Sequence, residues 1–230
     1  MSKVAWIIFG SIIVLVFGGL ITYSRITNPP INVSGIDTNS IIAASDQNAN
    51  IADHTFGKTD SKVVLVEYGD FQCPSCKGAH PQIKAVTEEY KDKVLFIFRN
   101  FPLTTIHPNA RVAAAAVEAA GLQGKYWDMH NLVFESQDEW GTLTGTDRTD
   151  KFASYASQLG LDTNKFLENV AGSTVSKKIS FDQAIGKKVG VDATPTFYLN
   201  GEKLPEATSS AIVQGSSTEL KTLLDQKLSK

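Results

Sequence analysis

Two cysteines separated by two residues are the feature that most limits what this sequence can fold into. Cys73-Pro74-Ser75-Cys76 contains the only cysteines among 230 residues, so the chain forms at most one internal disulfide and is not a disulfide-stabilised scaffold. The pair follows an apolar, β-branched run, Lys62 to Tyr68. A cysteine between a strand and a helix lies where unpaired N–H groups favour negative charge. Such a thiol has a lowered pKa and can exchange disulfide bonds.

The cysteine pair sits inside a predicted strand–helix–strand unit. Lys62 to Tyr68 reads as a buried strand, the segment after the cysteines has helical spacing, and Lys93 to Arg99 reads as the next strand. This order is typical of a βαβ unit with a right-handed crossover. A strand from Pro195 to Asn200, a turn at Asn200-Gly201 and a short partner strand follow near the C-terminus, before a last helix with a leucine stripe.

A helical block separates these two groups of strands. Alanine-rich and amphipathic stretches with glycines at their ends occupy residues 108–189. The predicted helices are Pro108–Leu122, Tyr126–Phe134, Thr149–Leu159, Thr163–Val170 and Val175–Val189. The sequence therefore predicts a mixed α/β fold with a helical subdomain inserted into it.

The N-terminal segment is predicted to be a membrane anchor. Val4 to Tyr23 is 20 residues long, almost wholly apolar and without charge, which matches the hydrocarbon thickness of a bilayer. A cleaved signal peptide is the main alternative, but its apolar core is shorter; a buried core helix is another. Lys3 and the terminal amine before the segment, against Arg25 after it, favour by a slight asymmetry a cytoplasmic N-terminus and an extracytoplasmic C-terminal domain.

Composition bounds the remaining possibilities. Residues 26–52 are rich in Asn, Ser, Thr, Asp and Pro without apolar periodicity, which predicts a flexible tether. The hydrophobic content of 42% excludes disorder throughout. A formal net charge of −2 provides no basic surface, so nucleic acid is not expected as the main partner. The sequence has no obvious dimerisation segment, which favours a monomer.

The segment Glu67-Tyr68-Gly69-Asp70-Phe71-Gln72-Cys73-Pro74-Ser75-Cys76 carries a resemblance to a known family. It is similar to the active-site signature of the DsbA-like thiol–disulfide oxidoreductases, which have a thioredoxin fold with an inserted helical domain. Four further matches are Arg99 to Leu103 with His107 to Ala110, Gly124 to Trp127, Leu132 to Phe134, and Val191 to Phe197. The predicted organisation is thus an anchor over 1–25, the tether over 26–52 and, as the resemblance implies, a DsbA-like domain over 53–230. In that domain the thioredoxin core is 53–103 and 190–230, and the helical insert is 104–189.

The resemblance also assigns the two sulfurs and the residues that tune them. Cys73 would be the nucleophile and Cys76 the resolving cysteine, with Pro74 and Ser75 setting the reduction potential. The best-known members have histidine where this chain has Ser75, which puts a strongly oxidising potential in doubt. Glu67 would be a buried acid that transfers a proton to or from Cys76; the alternative is a buried acid without a catalytic role.

The client-binding residues follow from the same resemblance. Pro195 would be cis and would present the backbone of Thr194 to an extended client peptide; an ordinary trans proline is the alternative. Phe71 would line the client groove, or would belong to the core. The implied partners are client proteins with cysteine thiols and a membrane reoxidant or reductant, with no organic cofactor and no metal.

Three other functions remain open at this stage. A disulfide reductase or electron shuttle would use the same residues at a different potential. A tethered binding module would use the disulfide only as a staple, although so short a loop removes little unfolded-state entropy. A zinc site would need a fourth ligand beside Cys73, Cys76 and His80.

Overall fold

The computed structural model describes residues 3–27 and 31–229 and divides into two compact units, Met1–Asn32 and Val33–Lys230. In the first unit, helix α1 spans Lys3–Thr27 and exposes most of its described apolar side chains. When only the described residues are counted, no helix is long and apolar enough to span a membrane. The anchor is therefore not confirmed, and Asn28-Pro29-Pro30 of the predicted tether lie outside the described residues.

A five-stranded sheet forms the centre of the second unit. The strands are β1 His54–Gly57, β2 Val64–Gly69, β3 Leu95–Asn100, β4 Thr196–Leu199 and β5 Glu202–Lys203, in the order β1-β3-β2-β4-β5. β2 and β3 are parallel, joined by helix α2 (Pro74–Glu89), and the other pairs are antiparallel. The predicted βαβ unit and the hairpin are confirmed. Edge strand β1 was not predicted, because its four residues carry no apolar alternation.

The predicted helical block is also confirmed. Between β3 and β4 lie α3 Ala110–Gly121, α4 Tyr126–Glu135, α5 Gln137–Trp140, α6 Gly145–Gln158, α7 Thr163–Ala171 and α8 Ser173–Lys188. The chain ends with α9 Glu206–Val213 and α10 Thr218–Leu228. The alanines of α3 are buried, so α4 and α7 pack closely against this helix. Short α5 and polar α9 were not predicted, because neither segment has a clear apolar stripe.

The central strands present two different faces. Side chains alternate along a strand, and the register places Glu67 beside Phe98 and Phe197 on one face. The next residue along, Tyr68, is paired with Arg99 on the other face. The sheet thus separates a largely apolar face from a charged one.

Part of the predicted tether instead packs on the domain. Arg99 donates to the carbonyl oxygens of Thr38 at 2.6 Å and Ser40 at 3.0 Å, and the amide of Ile42 donates to Asp53 at 2.9 Å. The side chains of Ile42 and Ile51 are buried. Residues 33–52 therefore differ from the flexible tether that their composition predicts, because a buried guanidinium binds their backbone.

Candidate active site

Cys73 lies at the N-terminus of helix α2, as the sequence predicts. It is the N-cap residue, with extended backbone angles, and Pro74 occupies the first turn, where its missing N–H costs no hydrogen bond. Pro74 and Ser75 are exposed, whereas Cys73 is only 6% exposed and Cys76 is fully buried. Both cysteines are free thiols. The first sulfur is thus the one that a partner can reach.

The two sulfurs have opposite acidities. A hydrogen bond from the Cys76 side chain, with the backbone N–H groups of Ser75 and Cys76, lowers the pKa of Cys73 to about 5. Burial, hydrogen bonding to Cys73 and the nearby negative charges raise the pKa of Cys76 well above its usual value. At neutral pH the reduced site therefore holds a thiolate at Cys73 and a thiol at Cys76.

Glu67 is a buried acid on the same side of the sheet. It is 4% exposed and lies between two phenylalanines in the sheet register. Burial raises the pKa of Glu67 to about 8, and the charge on Cys73 adds to this shift. Its charge in turn contributes to the raised pKa of Cys76. A carboxyl group that gains and loses a proton near neutral pH is thus electrostatically coupled to both sulfurs.

Thr194 and Pro195 face the cysteines from the loop before β4. The Cys73 Sγ lies 3.3 Å from the carbonyl oxygen of Thr194, which accepts a hydrogen bond from this sulfur when it is protonated. The Thr194–Pro195 peptide bond is cis, as the resemblance implied. A shallow surface depression is lined by Ser75, Pro195 and polar residues of α9. The loop and the cysteine helix therefore meet at a surface that an extended peptide can occupy.

Phe71 is not a groove residue. Its side chain is 1% exposed and packs against Phe134 at 4.6 Å and Phe98 at 5.1 Å between ring centroids. The prediction that Phe71 lines the client surface is therefore wrong, and its alternative placement in the core is correct. The reason is that α4 of the helical insert covers the ring.

Polar side chains that the sequence did not single out hold the active-site loop. Gln137 Nε2 donates to the carbonyl oxygens of Phe71 at 2.7 Å and Cys73 at 3.1 Å. Asp70 accepts from the amide of Gln72 at 2.8 Å and contacts His107 Nδ1 at 2.8 Å. The position of Asp70 just after a strand suggests such a turn role, but nothing in the sequence marks Gln137.

The zinc alternative gains no support at this site. Among residues 3–27 and 31–229, no three His, Cys, Asp or Glu side chains are arranged to hold a metal ion. His80 packs its ring against Phe134 at 5.0 Å. His80, the third residue of the predicted zinc set, therefore packs against α4 of the helical insert.

Comparison with known proteins adds two kinds of similarity at the sequence level. A family model described as Thioredoxin matches residues 49–216. The Na(+)/H(+) antiporter NhaA 1 of Salinispora arenicola is 37% identical over 151 residues, which are 66% of this chain and 22% of the antiporter. The NhaA 1 antiporter of Mycolicibacterium vanbaalenii is 39% identical over 153 residues, 65% of this chain and 23% of that protein. This chain spans less than a quarter of these curated relatives, so their name describes much longer proteins.

Solved structures share the fold over most of the chain. BdbD from Bacillus subtilis, in its oxidised form, is 24% identical with a TM-score of 0.65, covering 83% of this chain and 98% of that one. Wolbachia pipientis alpha-DsbA1 is 23% identical with a TM-score of 0.63, covering 77% and 91%. The catalytic domain of Proteus mirabilis ScsC is 20% identical with a TM-score of 0.61, covering 81% and 93%. Because all three are less than 25% identical in sequence to this chain, these comparisons show a shared fold.

Proposed function

This chain belongs to the thioredoxin family, and we propose that it is a DsbA-type thiol–disulfide oxidoreductase that works as an oxidase on client proteins. The observation that carries this proposal is the position of Cys73 as the N-cap of α2, where hydrogen bonds from Cys76 and nearby backbone N–H groups lower its pKa to about 5. A thiolate stabilised at neutral pH favours the reduced enzyme, so the oxidised enzyme readily passes its disulfide on. DsbA-like solved structures with the same fold support the assignment.

The proposed cycle begins with the Cys73–Cys76 disulfide. A client thiolate attacks the Cys73 sulfur, which forms a mixed disulfide and releases Cys76 as a thiolate. A second client thiolate then attacks the client sulfur of that mixed disulfide and releases Cys73. The client gains one disulfide, and the two electrons it gives up leave both enzyme cysteines reduced.

The two sulfurs that leave in these steps differ in pKa, and the difference decides which of them needs a proton. Cys76 has a raised pKa, so it leaves poorly as a thiolate and needs a proton. Glu67, with a pKa of about 8, is protonated at neutral pH and supplies that proton, directly or through water. Cys73 has a lowered pKa and leaves readily as a thiolate in the second step.

Client binding is assigned to the surface beside Cys73. The 3.3 Å approach of the Thr194 carbonyl oxygen to the Cys73 sulfur places this backbone next to the reacting atom. An extended client segment pairs with Thr194 and Pro195 by strand addition. The depression next to Ser75 and Pro195 accommodates residues adjoining the client cysteine.

The location of the domain is also part of the proposal. A disulfide donor operates in an oxidising compartment, and the uncharged apolar sequence from Val4 to Tyr23 supports an N-terminal anchor with the domain outside the cytoplasm. A membrane partner would then reoxidise the cysteines, and the chain would act as a monomer. Labelling of Cys73 with a membrane-impermeant thiol reagent, in intact cells whose disulfides have first been reduced, tests the location, because only an extracytoplasmic domain would then be labelled.

Equilibration of the full chain with glutathione buffers tests the direction of exchange. The proposal expects a reduction potential of roughly −120 to −180 mV, in the range of disulfide donors. A value near about −270 mV would instead identify a reductase or an electron shuttle with the same residues. If the cysteines show no reversible couple, the oxidoreductase assignment itself fails.

A further inference from the structure

The depression beside Ser75 and Pro195 is one half of a longer groove. A second depression continues it towards β5, and the two share three lining residues, Pro195, Glu206 and Ser209. We call the whole the polar groove, with a near half beside Ser75 and a far half beside Lys203. Thr194, whose carbonyl oxygen lies 3.3 Å from the Cys73 sulfur, lines the near half. A client bound at the sulfur therefore continues into this half first.

The near half contains one ionisable side chain, and that side chain is an acid. Among the described residues that line it, Glu206 alone carries a charge, and the others are small polar or apolar side chains. Glu206 is exposed and begins α9, where unpaired backbone N–H groups favour its ionised form. No salt bridge joins it to a cation of the described structure. The carboxylate is thus available to a charge on the client.

The far half differs because it contains charges of both signs. Asp192 and Lys203 line it, and both side chains are exposed. One acid and one cation largely offset each other in the field that a client meets there. The sign of the charge that the groove favours is therefore set in the near half, by Glu206.

The apolar surface of the near half determines the shape of the side chain that fits there. Pro195 and Val213 line it and are half-buried. Its volume of about 270 Å³ exceeds the roughly 150 Å³ of a cavity that holds benzene. Lysine and arginine combine an apolar stem with a charged end, so the stem can cover Pro195 and Val213 while the charge lies beside Glu206. An acidic side chain would be repelled by the same carboxylate.

We infer that the polar groove selects client segments with a lysine or arginine one or two residues from the reacting cysteine, and that Glu206 determines this specificity. An extended segment advances about 3.3 Å per residue, so these positions lie about 3–7 Å along the groove from the cysteine. The inference rests on the proposed function, since it names the clients of the same exchange reaction.

The test follows the oxidation of dithiol peptides by the oxidised full chain in a stopped-flow instrument. Each peptide has lysine, norleucine or glutamate one or two residues before or after both of its cysteines. The peptide dithiol becomes a disulfide while the Cys73–Cys76 disulfide becomes two thiols. Each rate constant is divided by that for the same peptide with oxidised glutathione, which corrects for the effect of the varied residue on the peptide thiol.

The lysine peptide should react about two- to fivefold faster than the norleucine peptide in at least one of these positions, the range expected for an exposed ion pair. The glutamate peptide should be slower than norleucine by a similar factor. In 1 M salt these differences should disappear, because the screening length falls to about 3 Å. Equal corrected rates for the three peptides at low salt overturn the inference, and a chain that oxidises none of them overturns the proposed function as well.

Two matched variants assign the effect to one residue. Glu206→Gln should bring the ratio of the lysine rate to the norleucine rate close to one. Glu219→Gln removes the same charge from the first turn of α10, an exposed position that does not line the groove, and should keep the wild-type ratio. A ratio that survives Glu206→Gln, or that falls equally in both variants, overturns the role of Glu206.

Discussion

The two faces of the central strands treat buried acids in opposite ways. On the active-site face, Glu67 lies between Phe98 and Phe197, and burial, with the charge on Cys73, raises its pKa to about 8. On the other face, Asp53 binds the buried Arg99 at 2.7 Å. Arg99 and Lys178 outweigh the burial of Asp53 and lower its pKa.

The charged face extends beyond that pair. Lys178 binds Asp182 at 2.8 Å, and Glu118 binds His54 at 2.8 Å. The pKa of Glu118 is lowered by His54 against its burial, whereas burial of Asp182 exceeds the effect of Lys178 and keeps its pKa raised. The difference between the faces teaches that a buried acid is structural where cations surround it. An acid left alone beside reacting sulfurs is available for proton transfer.

The largest effect is expected from removing the central cation. Arg99→Leu leaves Asp53 buried without its main partner and frees the backbone of Thr38 and Ser40. Breaking a buried pair in this way should lower the free energy of unfolding by about 3–5 kcal/mol. Urea unfolding of the variant and the wild-type chain measures the loss.

A double variant and a titration separate this effect from chemistry. Arg99→Leu with Asp53→Leu should recover much of the stability, because no unpaired charge remains. The pKa of Cys73 should be nearly unchanged in both variants, because its largest causes are Cys76, burial, Thr194 and the backbone at the start of α2. A shifted thiolate titration would show that the two faces are coupled.

Replacing Glu67 should have the opposite effects to Arg99→Leu: the protein should become more stable, and disulfide exchange should become slower. Glu67→Gln eliminates a group whose ionisation the fold opposes, so the reduced protein should gain roughly 1–3 kcal/mol of stability at pH 8. Disulfide exchange at pH 7 should slow by at least about tenfold, since Cys76 loses its proton source. Stopped-flow oxidation of a dithiol peptide measures the rate; an unchanged rate would make Glu67 a spectator.

The pH dependence of stability identifies Glu67 directly. Its pKa rises from 4.5 to about 8 on folding, so folded reduced protein holds the proton more tightly than unfolded protein. The stability that this group contributes is complete below pH 4.5 and is lost as the pH rises through about 8. The unfolding free energy of the wild type should therefore fall relative to that of Glu67→Gln by up to about 1.4 kcal/mol per pH unit in that window, so the stability advantage of the variant grows with pH.

A smaller effect, on the pKa of Cys73, is expected when Cys76 is replaced. The Cys76 hydrogen bond is the largest cause of the lowered pKa of Cys73. Cys76→Ala should raise the Cys73 pKa by roughly one unit, and Cys76→Ser, which keeps an O–H donor, should raise it less. The pH dependence of alkylation by iodoacetamide measures both; a pKa unchanged from the wild type in both variants would show that the Cys76 side chain does not set it.

Much of this architecture could be predicted from local sequence patterns. The apolar runs before and after the cysteines predicted β2 and β3, and the alanine content predicted α3. Both patterns can be read from a short stretch of sequence without knowledge of distant contacts. Cys73 and Cys76 followed from spacing. Pro195 followed from family resemblance, because no local property specifies a cis bond.

Other features depend on contacts between distant segments. Phe71 is a core residue because α4, more than 50 residues later, covers it. Residues 33–52 are ordered against the domain because Arg99 binds their backbone, and polar composition alone does not show that. Gln137 reaches the cysteine loop from α5, so its role becomes visible only once the insert is folded.

The smallest effect, on the reduction potential, is expected from replacing Ser75, an exposed residue between the two cysteines. Ser75 lies beside the Cys73 sulfur at the start of α2, and its backbone N–H helps to lower the pKa of Cys73. Ser75→His should place a partly positive ring near the thiolate and lower the pKa of Cys73 by about half a unit. The reduction potential should then become more oxidising by roughly 15 mV, since 30 mV corresponds to about 1.4 kcal/mol. Glutathione equilibration of Ser75→His, with Ser75→Gln as an uncharged control, measures it. An equal shift in both variants would mean that the size of the side chain, and not its charge, tunes this face of the protein.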